Sequence, residues 1–357
     1  MSAYIKYKIK SVKVNLIVIY ILNLLFLIGV IPMASFREGV NGSTYFRAAL
    51  IEAKGNVDVW LCVAVVTLGI NIMYKCHSSA EKSLPLKNKS RYFASYLIGA
   101  GTIIIQWLMV TIASIIHYIR YSDIYHEWNL TSSYYDILVK EDSLASGVIY
   151  LAEIYLIILC IYTVCALCMI ASKSKFTALI TAVEMALFPY YILITVRNIA
   201  DKYFSINNSI NVEIILEKIV YKYIGILDSH IGYLWYQRDM DLQVYYLENV
   251  VELCKGMSGI IVLCIFIGVI IAIKSDGASG KIMLSSCLDK LFALITAIYI
   301  AFFIPHMVYV KNVSFVTLLI VEVIAISLAY YIIMKFISSG RKYNYLNKKR
   351  GIKDENK

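Results

Sequence analysis

The segment EKSLPLKNKSRYFASYLIGAGTIIIQWLMVTIASIIHY, residues 81–118, joins a basic, proline-containing turn to a long apolar run. The run itself, 93–118, contains no Asp, Glu, Lys or Arg. About 20 apolar residues cross the hydrocarbon layer as an α-helix, which satisfies its backbone polar groups internally. Residues 93–118 are therefore predicted to span a membrane, and the basic turn before them is predicted to lie at its surface.

The composition of the whole chain is typical of a membrane protein. Of its 357 residues, 60% are hydrophobic and 16% are charged, whereas soluble domains are about 25% charged. The formal net charge of +10 does not require a nucleic-acid partner, because Lys and Arg held on one side of a bilayer produce the same surplus. We therefore expect contact with membrane lipid and none with nucleic acid.

Seven further stretches share the length and apolar character of 93–118. A cleavable signal peptide is an alternative for the first of them, but its apolar run is longer than a signal core, so we expect a retained span. The predicted class is thus all-α, a polytopic membrane protein of about eight transmembrane helices. The eight predicted spans are 14–34, 57–75, 93–118, 147–171, 176–197, 256–273, 287–309 and 314–338.

Basic residues mark alternate connections between these spans. Cytoplasmic loops carry an excess of Lys and Arg, so the basic set is assigned inside and both termini are predicted to be cytoplasmic. A composition rich in Ile, Lys, Asn and Tyr is typical of a bacterium, which indicates a multi-pass protein of the bacterial plasma membrane. The segments predicted to lie inside are 1–13, 76–92, 172–175, 274–286 and the tail from 339.

These assignments divide the chain into five parts. Within the external part, INVEIILEKIVYKYIGIL (Ile210–Leu227) has the spacing of an amphipathic helix, which would either lie in the outer membrane interface or belong to a small packed cap. The parts are an amphipathic N-terminal helix (1–13), spans one to five with the turn 76–92 (14–197), an external helical segment (198–255), spans six to eight (256–338) and a basic cytoplasmic tail (339–357).

The basic turn and the span after it carry a family resemblance. The sequence KSLPLKNKSRYFASYLIGAG (Lys82–Gly101) resembles the Ser-Leu-Pro element of permease subunits from type-2 ABC exporters of low-GC Gram-positive bacteria. The N-terminal MSAYIKYKIKSVK and the linker IKSDGASGKIMLSSCLDKLFALI (Ile273–Ile295) are similar to the corresponding parts of that family. The family core has six spans, so the last two spans are interpreted as an appended hairpin whose role does not carry over.

The resemblance implies that the basic turn docks onto an ATPase. Ser83 is a plausible helix N-cap and Pro85 a good first-turn residue, while Leu84 and its neighbours would enter an apolar groove. The alternative is a plain turn whose positive charges only set the topology. The predicted ATPase-coupling residues are Ser83, Leu84, Pro85, Leu86, Lys87, Lys89 and Arg91.

The same resemblance implies the partners and the cargo. The chain would pair with a second copy of itself or with a sister permease, and with two cytoplasmic ABC ATPases that bind ATP and Mg²⁺. Apolar spans with few internal charges favour an amphipathic or hydrophobic cargo, such as a secreted peptide, toxin or antimicrobial. A highly charged sugar polymer fits such spans less well.

The chain itself is predicted not to be an enzyme. SDGASGKI (Ser275–Ile282) suggests a phosphate-binding loop, but Ser275 stands where the pattern needs Gly and Ile282 where it needs a hydroxyl. ATP hydrolysis is therefore expected from a separate subunit. The five histidines have no metal-ligand spacing, so no metal or cofactor is predicted in this chain.

Polar residues inside the predicted spans are candidates for a translocation path. A carboxylate near the bilayer centre costs about 2.5–3.5 kcal/mol, so such groups usually face the bundle interior or a wet cavity. Glu184 lies near mid-span, whereas Glu153 is close enough to the outer end of its span to stay solvated. Gln106 and Trp107 would line a path or pack between helices. The candidate path is Glu184, Gln106, Trp107 and Glu153, and Glu322 is expected to make a structural hydrogen bond in the hairpin.

Two other functional classes stay open. A proton-coupled secondary transporter would also use intramembrane carboxylates, but it should show paired interrupted spans related by an internal repeat, and no convincing repeat is found. A membrane sensor or immunity protein would carry out no transport. Three cysteines inside one apolar run, Cys160, Cys165 and Cys168, are interpreted as buried thiols and not as a metal cluster.

Overall fold

The computed structural model of the chain describes residues 2–37, 50, 58–74, 86–120, 144–172, 174–185, 241–274, 283, 286–307 and 315–354. Nearly all of them are α-helical, and an isolated bridge pairs Ser172 with Met283. Over this part of the chain the predicted all-α class is confirmed.

Nine helices are described, and α2 to α9 fall one by one on the eight apolar stretches found in the sequence. The C-terminal part of the fifth stretch, after 185, lies outside the described residues. The helices are α1 (Ser2–Ser11), α2 (Lys13–Arg37), α3 (Asp58–Tyr74), α4 (Asn88–Arg120), α5 (Leu144–Ala171), α6 (175–185), α7 (Asp241–Lys274), α8 (Ser286–Met307) and α9 (Phe315–Asp354).

Several of these helices are long and apolar enough to cross a membrane. Among the described residues four pass this test: Asn88–Arg120, Gly147–Ala171, Cys254–Ile273 and Val316–Ile337. α1 and α2 meet at a 64° bend and form a fifth candidate when they are taken as one broken span. The chain is therefore an all-helical protein with four or five candidate membrane-spanning helices in its described part.

Side chains bond to the backbone where α4 begins and where α1 gives way to α2. Arg91 donates from Nε and Nη2 to the carbonyl oxygen of Leu86, at 3.0 and 2.8 Å, which closes the turn that leads into α4. Ser11 Oγ donates to the carbonyl oxygen of Lys8 at 2.7 Å, a local bond that often accompanies a bend. The two Arg91 bonds therefore hold Leu86 close to the first turn of α4.

The chain divides into two compact units. The first comprises Met1–Leu167 with Ile226–Val269, and the second comprises Cys168–Gly225 with Ile270–Lys357. α5 and α7 each contribute most of their length to the first unit.

In the first unit α5 is the central helix. Of its most apolar window, 78% is buried, against 28% for the corresponding window of α7. A Cβ at Gly69 of α3 would lie 3.1 Å from Cys165 Cβ, and one at Gly99 of α4 would overlap the ring of Tyr162. Small residues of this kind let membrane helices approach closely, which places α3 and α4 directly against α5.

In the second unit α8 and α9 pack along each other. α8 buries residues at intervals of four, namely Asp289, Ala293, Ala297 and Ala301, and this small-residue face permits close helix packing. α9 is different, because only 6% of its apolar window is buried inside the protein. Most of this window is therefore not covered by the described residues.

Candidate functional site

Of the seven buried polar residues of α4, Thr111 is turned about 140° from Gln106, and the other six follow one face of the helix. Their intervals of three, four, seven and eight residues match the helical repeat, so the side chains lie roughly above one another. They form a polar stripe along the longest described candidate span. The buried members of this stripe are Arg91, Ser95, Thr102, Gln106, Ser114 and His117.

Near the start of α4 the polar groups are paired. Tyr96 Oη lies 2.9 Å from Thr163 Oγ1, and Tyr162 Oη donates to the carbonyl oxygen of Tyr96 at 3.0 Å. Tyr4 Oη of α1 lies 3.2 Å from Ser95 Oγ. We call the stretch 92–99 of α4 the inner section.

The aromatic rings of the inner section also pack against one another and against α5. The ring centroids of Tyr92 and Tyr96 are 6.2 Å apart, and those of Tyr96 and Tyr162 are 5.5 Å apart. A Cβ at Gly268 of α7 would overlap the side chain of Tyr92. The inner section is thus held between α5 and α7 by a stack of tyrosines seated on glycines.

Further along α4, His117 Nε2 is buried without a hydrogen-bond partner in the described part of the chain, although its ring takes part in other interactions. Four more buried polar atoms, between residues 106 and 114, find no partner there either. They are Gln106 Nε2, Trp107 Nε1, Thr111 Oγ1 and Ser114 Oγ. The exposed fractions of Gln106, Thr111 and Ser114 are 2%, 8% and 1%, and Trp107 is half-buried. We call these four residues the donor cluster.

Contacts of α5 with α2 and α4 place Gln106 of the donor cluster near the level of a buried polar pair, Tyr155 and Asn23. Tyr155 of α5 donates from its hydroxyl to Asn23 Oδ1 of α2, in a buried bond. Gly99 of α4 faces Tyr162 of α5. Gln106 lies seven residues after Gly99, and Tyr155 lies seven residues before Tyr162, so each is displaced by about 10 Å along its helix. α1, which precedes α2, bonds to the inner section, so α5 runs antiparallel to both α2 and α4. Gln106 is therefore approximately level with Tyr155.

Glu153 of α5 is also buried in the first unit. The sequence allowed this carboxyl group to remain solvated near the outer interface, but the structure buries the side chain in the bundle. The Cys254 thiol of α7 lies within electrostatic range of it. Glu153 thus belongs to the interior of the same bundle as Gln106 and Trp107, as a path residue would.

Glu184, the fourth residue of the predicted path, lies in the second unit on α6. Its exposed fraction is 5%, and the Thr296 hydroxyl on α8 approaches its carboxyl group. Neither Glu184 Oε2 nor Thr296 Oγ1 has a hydrogen-bond partner of ordinary geometry among the described residues. Pro189, which the sequence suggested as a kink beside this group, lies outside the described residues.

Glu322 of α9 has the same character as Glu184. It is 7% exposed, and neither carboxyl oxygen finds a hydrogen-bond partner within the described ranges. The structural hydrogen bond that we expected in the hairpin is therefore not made there. A carboxyl group in such surroundings can hold a proton or meet a cationic group.

The structure describes only part of the predicted coupling turn. Ser83, Leu84 and Pro85 lie outside the described residues. Leu86 is half-buried, and Lys87 and Lys89 are exposed. Arg91 is buried and bonded to the Leu86 carbonyl, so its guanidinium holds the turn in place.

Sequence reasoning missed three of the unpartnered residues. Ser114 lies on the polar spacing that includes Gln106 and Thr111 does not, so nothing in the sequence shows that both hydroxyl groups are unsatisfied. Thr296 is an isolated hydroxyl residue in an apolar run, and only its proximity to Glu184 distinguishes it. Cys160, Cys165 and Cys168 are buried thiols, as predicted.

The chemistry of the two units differs. The donor cluster offers uncharged N–H and O–H groups, whereas the second unit offers carboxyl groups, and the described residues contain no group of three potential metal ligands. No family model matches the chain, and no match was found among curated proteins or solved structures.

Proposed function

We propose that the chain is the membrane-spanning permease subunit of an ATP-driven ABC exporter, which moves an amphipathic or hydrophobic cargo such as a secreted peptide out of the cell. The observation that carries this proposal is the set of unpartnered polar groups buried in membrane helices, in the donor cluster and at Glu184. Such groups are costly in a purely structural bundle and are typical of a path for a polar ligand.

The proposed architecture includes a span count and an orientation that go beyond the described helices. It has about eight spans with both termini in the cytoplasm of a bacterium, built as a six-span core with α8 and α9 appended as a hairpin. Its support is that α2 to α9 each occupy one of the apolar stretches. The alternating basic character of the connecting segments supports the orientation.

The basic turn is the proposed contact with the ATPase. The resemblance of Lys82–Gly101 to the family's Ser-Leu-Pro element supports this assignment. The geometry is compatible with it, because Arg91 braces the turn while Lys87 and Lys89 remain exposed for acidic partners. Movement of the turn would then be transmitted to α4, which begins at Asn88.

In the proposed complex this chain binds two cytoplasmic ATPases and a second permease, either identical or a sister chain. ATP and Mg²⁺ belong to the ATPases, since SDGASGKI departs from a phosphate-binding loop at two positions. Closure of the ATPase dimer on ATP would tilt the helices of the permease pair and open the path outward.

Leu84→Asp tests the ATPase contact directly. An unpaired carboxylate in an apolar groove costs several kcal/mol, so this variant should lose the ATPase on co-purification. The control is the pair Lys87→Gln and Lys89→Gln, which should weaken the complex less and chiefly at low salt, because rim charges are screened. Retention of a full complement of ATPase by Leu84→Asp would reduce the turn to a topological anchor.

A proton-coupled secondary transporter is the second candidate. Glu184 and Glu322 favour it, because both side chains are buried in apolar helices, and Glu184 Oε2 and both carboxyl oxygens of Glu322 find no hydrogen-bond partner in the described part. Transport driven by a proton gradient in vesicles that contain the chain and no ATPase would select this candidate over the exporter.

A further inference from the structure

We infer that the donor cluster, Gln106, Trp107, Thr111 and Ser114, is a binding site for the backbone carbonyl oxygens of a short, uncharged peptide segment. This inference rests on the proposed exporter function, for which it specifies the class of cargo and the point of contact. It starts from four buried polar atoms that lie within nine residues of one helix and find no partner in the described structure.

The unpartnered state is not the ordinary state of polar groups in this bundle. Hydroxyl side chains on helices usually donate to a carbonyl three or four residues earlier. Thr102 donates to Ile98 at 2.8 Å, and Thr163 donates to Leu159 at 2.7 Å. Thr111 and Ser114 make no such bond. Hydroxyl groups of the donor cluster therefore remain without the bonds that Thr102 and Thr163 make in the same bundle.

The identity of the atoms defines the ligand chemistry. The side-chain N–H groups of Gln106 and Trp107 can only donate, and the two hydroxyl groups can also donate. The cluster contains no Lys or Arg to neutralise a phosphate or carboxylate, and Glu153 lies buried in the same bundle. An uncharged acceptor is the complementary group, and the amide carbonyl is the commonest such acceptor in a peptide.

The length of the cluster matches a piece of extended chain. From Gln106 to Ser114 the helix rises about 12 Å. An extended peptide advances about 3.4 Å per residue, so this span corresponds to three or four residues. Apolar side chains on that segment would suit the surrounding helices, which agrees with a hydrophobic or amphipathic peptide cargo.

The test uses the full-length chain in lipid nanodiscs, without ATPase, so that peptide binding and the exporter function can fail separately. Trp60, Trp128 and Trp235 are replaced by Phe, which leaves Trp107 as the reporter. The probe is an acetylated and amidated hexapeptide of Leu and Val. We expect a saturable change in Trp107 emission and a higher unfolding midpoint with the peptide present.

Two further probes separate carbonyl recognition from apolar partitioning. A fully N-methylated version of the hexapeptide keeps the acceptors and loses the donors, so it should still bind. A hydrocarbon chain of equal length without carbonyl groups should give no saturable signal. Equal responses to the hydrocarbon and the peptide would overturn the inference, because they would show that the site takes any apolar ligand.

Variants locate the binding. Gln106→Leu and Ser114→Ala should each weaken peptide binding by about fivefold, which corresponds to one lost hydrogen bond. Thr102→Val is the matched control, because Thr102 already donates to Ile98 and should not affect affinity. If Gln106→Leu does not fold, Ser114→Ala and the probe series still decide the question.

Two results contradict the inference outright. One is unchanged peptide affinity in both variants, which would place the binding elsewhere. The other is a red, water-exposed Trp107 emission with no response to either peptide, which would show that the cluster holds water only. An ATPase that co-purifies with a chain unable to bind peptide would leave the exporter function standing and reject this site.

Discussion

The inner section and the donor cluster lie on the same helix, yet the surroundings of their polar groups differ. In the inner section Ser95 and Tyr96 bond to other helices, and the rings stack on glycines. In the donor cluster four polar atoms have no partner among the described residues. The polar groups of the inner section are used for assembly, whereas those of the donor cluster are left without partners among the described residues.

Hydropathy alone does not separate these two sections. Both lie in a candidate span, and both combine polar and apolar residues. What differs is the neighbour. The inner section meets Tyr162 and Thr163 of α5, whereas Gln106 is approximately level with Tyr155, which bonds to Asn23 of α2. The difference shows that the partner helix, and not the residue type, decides whether a polar group is structural.

The largest expected effect is on helix approach in the inner section. Gly99→Ala introduces a Cβ that overlaps the Tyr162 ring, and overpacking of this kind costs about 1–3 kcal/mol. Gly101→Ala is the control, because a Cβ there has no atom within 4 Å, and it should raise stability by up to about 1 kcal/mol through helix propensity. Thermal unfolding in detergent measures both. Equal effects of the two substitutions would show that tight packing at Gly99 does not distinguish the inner section.

The second prediction compares a hydroxyl that bonds to the inner section with a hydroxyl of the donor cluster. Thr163→Val removes the partner of Tyr96 and should destabilise the bundle by about 0.5–1.5 kcal/mol. Thr111→Val removes a hydroxyl that bonds to nothing in the described part, so stability should stay the same or rise. The measurement is again the unfolding midpoint of each variant against the unsubstituted chain. A marked loss in Thr111→Val would mean that this hydroxyl has a structural partner.

The smallest expected effect on stability is that of Glu184→Gln. Because Glu184 Oε2 has no hydrogen-bond partner in the described part, this nearly isosteric change should leave unfolding within about 0.5 kcal/mol. Transport, or ATP hydrolysis stimulated by cargo, should nevertheless change if the carboxyl group serves the path. Unaltered activity would make Glu184 a packing residue, and failure of the variant to assemble would make its role structural. With either result, the contrast between structural polar groups and unbonded polar groups would apply to α4 alone.

The positions of the helices could be predicted from the sequence because each apolar run must hide its backbone from lipid. Gln106 and Trp107 were found for the related reason that polar residues are conspicuous in such a run. Thr111 and Ser114 were not, since a hydroxyl in a helix is normally satisfied by its own backbone and gives no signal. Only the three-dimensional contacts show which hydroxyls lack that bond.

Arg91 shows a different limit of the sequence. Its position in a basic turn suggested an exposed cation that reaches toward a partner. The structure uses the guanidinium locally, on the carbonyl of Leu86, and buries it. A fork of donors can close a turn or bind an anion with the same atoms, so residue type and spacing do not distinguish the two uses.

The tyrosine stack on α4 also has a mechanical consequence. In the proposed exporter, α5 and α7 hold α4 near Tyr96, so the stack would act as a fulcrum and α4 as a lever. From Lys89 to this fulcrum the rod measures about 10 Å, and from the fulcrum to Ser114 about 27 Å. The arms differ by a factor of about 2.6, so a 2 Å push at the basic turn swings the far arm through about 5 Å. A small stroke at the membrane surface is thereby amplified to the width of a side chain at the donor cluster.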